Sequence, residues 1–144
     1  MLQALLGDDD DAPSDGHRHA LSEAAPTFTP RVIVAEVNAH IPPSEARTVP
    51  YSGSAQWDGT TYGGASVLAI AKLLERHAYS LVYCESHGVN CFFIRNDVLG
   101  LESAPLRTLD TYFSVTSLHR PPNFFGEGRR HPDANGAARE WVWV

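Results

Sequence analysis

The chain has 144 residues, 43% of them hydrophobic, which suits one domain with a core of its own. A net charge of −6, from 11 basic against 17 acidic residues and without a basic stripe, argues against nucleic acid as a partner. Its apolar runs fall far short of the roughly 20 residues a bilayer requires, so no membrane span is expected. The opening MLQALLGDDDD has no positive n-region and too short an apolar stretch for a secretory signal, and the protein reads as cytoplasmic.

Residues 1–30 read as a disordered acidic tail. They hold four consecutive aspartates at 8–11, then Pro13, Gly16, Pro26 and Pro30, with few large apolar groups after Leu6. Such a segment cannot bury enough surface to offset its ordering entropy. His17 and His19 lie near the aspartates, but a flexible tail fixes no coordination geometry, and no metal site is assigned.

At Arg31 the composition changes. RVIVAEVN sets Val32, Ile33, Val34, Ala35 and Val37 within eight residues. This near-continuous run predicts an interior strand of a parallel sheet, covered on both faces. Glu36 and Asn38 stand at its carboxyl end, where open parallel sheets gather ligands. Asn38 could equally cap the turn before Pro42 and Pro43.

Residues 39–62 read as an irregular crossing, held open by Pro42, Pro43, Pro50 and Gly53 and carrying Tyr51, Trp57 and Tyr62. A helix over 66–77 follows: Thr60, Thr61 and Ser66 are available as caps, Val67, Ile70, Ala71 and Leu74 form a buried stripe, and Lys72, Glu75 and Arg76 lie outside. Gly63 and Gly64, just ahead of it, permit close approach of a neighbouring strand or a ligand. YSLVYC (79–84) and VNCFFIR (89–95), separated by Glu85, Ser86, His87 and Gly88, predict an antiparallel hairpin. Asn90 reads as a turn or strand-edge residue. Cys84 and Cys91 show neither a disulfide framework nor zinc spacing, and are expected as small buried apolar groups. Further on, LRTLDTYF has the look of a short helix, RPPNFFGEGRRHPDANG is turn-rich, and REWVWV has strand composition. Trp141 and Trp143 would there share one face and pin the C-terminus to the body.

Three ordered blocks, RVIVAEVNAHIPP, WDGTTYGGASVLAIAKLLERHAYSLVYCE and GVNCFFIRNDVL, together resemble the C-terminal half of an FkbM-like, S-adenosylmethionine-dependent methyltransferase. The resemblance covers residues 31–144. It implies an α/β fold, the closing half of a seven-stranded Rossmann-like sheet, with 31–38 as the fifth strand, 66–77 the following helix and the hairpin the last two strands. The family's glycine-rich first loop and ribose-binding acid have no counterpart in this chain. The expected organisation is therefore a tail over 1–30 and a partial methyltransferase-like domain over 31–144. The strand at 31–38 should then show an unpaired edge and an exposed apolar face.

By the same resemblance the activity is methyl transfer to an oxygen or nitrogen of a small-molecule acceptor, a sugar or metabolite. S-adenosylmethionine would be held by a missing N-terminal half or a partner chain. Asn38, Trp57 and Tyr62 would line the acceptor side, and Asp58 would contact the acceptor or take its proton, or else cap the Gly59 turn. Glu36 could bond an acceptor hydroxyl or a neighbouring loop. The alternative is a non-catalytic domain that binds a partner or completes its sheet with another chain.

Overall fold

The computed structural model describes residues 28–54, 56–100, 114–124, 130–132 and 139–144. The chain divides into two units, Met1–Pro30 and Arg31–Val144, and every element below belongs to the second. The readings of the tail over 1–27, of a helix at LRTLDTYF and of most of the turn-rich stretch lie outside the described residues.

Strand β1 (Val32–Glu36) leads through a loop to the two-residue β2 (Arg47–Thr48) and then to helix α1 (Val67–Arg76). Strands β3 (Tyr79–Cys84) and β4 (Asn90–Arg95), the one-turn helix α2 (Val115–Leu118) and β5 (Val142–Trp143) follow. The main sheet has the order β1-β4-β3, and both pairings are antiparallel. It follows that β1 and β3 run in the same direction, joined through α1, with the return strand β4 inserted between them. This is a mixed α/β arrangement of three strands in place of an all-parallel interior. The expected interior parallel strand is corrected accordingly: β1 is an edge strand whose neighbour among the described residues is β4 alone.

The α1 boundaries follow from capping. The Ser66 hydroxyl accepts from the backbone of Ala69 at 3.0 Å, and His77 ends the helix. Val67, Ala69 and Leu74 are buried while Lys72, Glu75 and Arg76 are exposed. The helix packs on the sheet face carrying Leu81, Cys91 and Phe93, where Phe93 is 0% exposed. The strand periodicity of two places Ile33 and Ala35, opposite Phe93 and Cys91, on that covered face.

The other face is built from Val32, Val34, Tyr83, Phe92 and Ile94. Val32 is 48%, Val34 54% and Tyr83 49% exposed. The β-branched run of β1 therefore has a hydrophobic residue on either side, as a doubly covered strand would, but among the described residues one side has no covering layer. The unpaired edge and exposed apolar face expected of this strand are both present among the described residues.

The hairpin turn is organised by Glu85. Its carboxylate accepts from the backbone N–H groups of His87 at 2.7 Å, Val89 at 2.7 Å and Asn90 at 3.2 Å, and His87 Nδ1 lies 2.8 Å away. Burial is the largest single influence on this carboxyl and opposes its ionisation. The hydrogen bonds together outweigh it and hold the pKa at about 2, against an ordinary 4.5. Gly88 closes the turn at φ +76°, where a Cβ would stand 2.6 Å from the Arg120 carbonyl and 2.9 Å from Ala39 Cβ.

Cys84 and Cys91 are buried as expected, but they are joined in a disulfide, which corrects their reading as separate apolar groups. The hairpin register explains the pairing. Glu85 N donates to Asn90 O, so the next pair along is the closely spaced, non-hydrogen-bonded kind, with Cα atoms 4.1 Å apart. Among the described residues no helix is long and apolar enough to cross a membrane.

Candidate functional site

The chain leaving β1 is fixed by Asn38. Its side-chain amide donates to the carbonyls of Thr61 and Gly63, both at 2.8 Å, and its oxygen accepts from His40 N at 3.0 Å. Asn38 N donates to Ala65 O as well. One residue thus ties the end of β1 to the loop ahead of α1, with the side chain's hydrogen-bonding groups on both sides engaged.

The loop holds its own shape. Asp58 Oδ1 accepts from Thr60 N at 3.0 Å and Thr60 Oγ1 at 2.6 Å, an Asx-type turn across Gly59, while Oδ2 pairs with Arg139 at 2.9 Å. The Thr60 hydroxyl and backbone, and then Arg139, keep this carboxyl below its ordinary range. Trp57 Nε1 donates to Thr60 O at 2.8 Å, and its indole meets the position where Gly63 would carry a Cβ, 3.0 Å away. The close approach allowed by Gly63 is thus used by Trp57. The Tyr62 hydroxyl donates to Glu140 O at 2.8 Å, its ring meets Trp141 edge-on at 5.0 Å, and Arg139 lies over its face.

The C-terminal strand docks here. β5 pairs with β2, and Val144 N donates to Ala46 O. Trp141 and Trp143 do share a face, because Arg47 lies over both rings, 4.4 and 5.6 Å from their centroids. Arg47 is held further by Glu45 at 2.9 Å and by backbone bonds on both sides to Ser66.

These contacts border an open cavity of about 320 Å³ beyond the carboxyl end of β1. His40, Arg47, Thr61, His119, Arg130 and Trp141 contribute its polar and aromatic walls, and Ile41 with the prolines 42 and 122 its apolar ones. His119 Nε2 lies 3.2 Å from Ala39 O. Behind the wall, His131 packs against Trp57 at 4.7 Å and Phe124 at 4.5 Å.

Asn38, Trp57, Asp58 and Tyr62 are brought together as the frame of this cavity and are not among its lining residues. Glu36 is apart, exposed near the end of β1. The lining residues His40, Arg47, His119 and Arg130 escaped the sequence reading. A hint was present in RRHP and in the two WVWV tryptophans, but only the β2–β5 pairing sets Arg47 against Trp141. Among the described residues no group of three or more His, Cys, Asp or Glu could hold a metal ion. No family model, curated protein or solved structure matches this chain.

Proposed function

We propose that this chain is the acceptor-binding half of an S-adenosylmethionine-dependent methyltransferase acting on an oxygen or nitrogen of a small molecule. The observation that carries the reading is the pairing of an open β1 edge with a cavity at that same strand's carboxyl end. Ligands of α/β sheets bind at such ends, and an open apolar edge asks for further strands. The order strand, crossover helix, strand and antiparallel return supports it further.

The cavity's donor set does not suit the methyl donor. Two guanidiniums and two imidazoles, with no carboxylate among the lining residues, fit neither a sulfonium cation nor a ribose diol. In this reading the cofactor lies on strands docked along β1, and what the chain supplies is acceptor binding and orientation. Asp58 is engaged on both oxygens by Thr60 and Arg139 and is not among the lining residues, so it sets the loop, while His40 and His119 are the imidazoles of the cavity wall. The reading carries a cytoplasmic setting with it, where disulfides are uncommon and the state of Cys84 and Cys91 becomes a direct check.

The test isolates the native protein from its source cells with an antibody against 57–97, then measures its mass and its retention of labelled S-adenosylmethionine. A species larger than 15.7 kDa that retains the label is expected. A band at the chain's own mass without label would overturn the enzyme reading. The exposed Val32 and Val34 favour a second reading equally, a non-catalytic domain that completes its sheet with another chain. Copurification of a second α/β polypeptide without retained label would select it.

A further inference from the structure

We infer that the cavity beyond β1 recognises an anion, so that the small molecule it takes carries a carboxylate or phosphate group seated beside Trp141. Only the word acceptor rests on the methyl-transfer reading; the anion site stands on the cavity's own chemistry.

In a chain of net charge −6, this cavity collects Arg47, Arg130, His40 and His119 and no acidic side chain. Arg47 is preorganised: its backbone is bonded to Ser66 on both sides, its guanidinium is stacked on two indoles, and its charge is paired with Glu45 at 2.9 Å. Its buried Nε makes no hydrogen bond among the described residues, so the guanidinium keeps donors for a ligand, in the fork geometry that suits carboxylate and phosphate. Arg130 is exposed and enters no ion pair among the described residues, so it can close on an anion without giving up a partner. The backbone N–H of Thr61, another lining residue, is anchored to Pro132 O, which fixes the loop beside Arg130. Trp141 supplies an aromatic wall for the uncharged part of the molecule. At about 320 Å³ the cavity is of metabolite size.

The test follows intrinsic tryptophan fluorescence of the full chain during titration with inorganic phosphate and, separately, benzoate, against sodium chloride at matched ionic strength. Saturable binding of phosphate is expected, weakened about tenfold in Arg130→Gln, the effect of losing one charged hydrogen-bonding partner. Arg130→Lys should recover part of the loss. Because Arg130 is exposed, far-UV circular dichroism of the variants should match the parent. Trp141→Leu should weaken benzoate more than phosphate. A response equal to that of chloride, or phosphate binding unchanged in Arg130→Gln, would overturn the anion site and leave the methyl-transfer reading standing. Phosphate binding together with a native protein that retains no S-adenosylmethionine would do the reverse.

Discussion

The two faces of the β1-β4-β3 sheet are made by the same three strands and differ completely in their surroundings. On one, Phe93, Cys91 and Leu81 are sealed beneath α1; on the other, Val32, Val34 and Tyr83 stand about half exposed, with Phe92 and Ile94 between them. The open face carries Glu36, Asn90 and Ser80 as well, but its centre is as apolar as the sealed face, so composition alone does not separate them. What differs is the presence of a covering layer. A sheet apolar on both faces is suited to the middle of a three-layer fold. Among the described residues, nothing covers that face or pairs with the outer edge of β1.

The sharpest way to break this contrast is to truncate one residue on each side. Phe93→Ala on the sealed face should cost about 4 kcal/mol in urea unfolding, whereas Val34→Ala on the open face should cost under about 0.5 kcal/mol. Equal losses would mean that the open face is covered in solution.

The next effect lies in the hairpin that joins the strands. The Glu85 pKa is depressed to about 2, so its contribution to stability is complete above its unfolded value of 4.5 and is lost as pH falls towards 2. Glu85→Gln should be less stable than the parent by about 2 kcal/mol at neutral pH, the full shift being reduced by solvent screening at the hairpin surface. The two should converge by pH 2, followed by thermal unfolding across that range. A gap that persists at low pH would show that the carboxylate's charge is not what holds the turn.

Similar in effect is the Cys84–Cys91 bond, which closes only a short loop. Its reduction should lower stability by about 2 kcal/mol, read as a difference in urea midpoint with and without reductant. Identical midpoints would show that the pair stands reduced throughout.

Much of this fold is legible in the sequence because local rules govern it. Ser66 caps α1 by hydroxyl chemistry, the stripe through Val67 and Leu74 follows helical spacing, and Gly88 closes the hairpin because its φ demands glycine. The Cys84–Cys91 bond is not legible, because a turn counted over Glu85–Gly88 does not set the two opposite each other; the observed register, with Glu85 bonded to Asn90, does. The position of β1 does not follow locally. A run such as VIVA asks for cover on both faces but cannot say that β4 will insert beside it in an antiparallel sense.

The site divides in the same way. Trp57, Asp58 and Tyr62 belong to a polar and aromatic loop that any reading would single out, and with Asn38, which ties the end of β1 to that loop, they build the frame. The cavity's arginines and histidines come from four separate stretches, at His40, Arg47, His119 and Arg130. Long-range pairing, above all β2 with β5, brings them together, and no spacing within the sequence announces it.

The open edge is most directly tested by sedimentation velocity of the full chain over a range of concentrations, beside Val34→Lys. A free apolar edge and face predict concentration-dependent association of the parent, suppressed by the lysine, since a charge on an edge strand blocks pairing. A parent chain that stays monomeric and compact at every concentration, indistinguishable from Val34→Lys, would contradict the assignment of β1 as an unfinished edge.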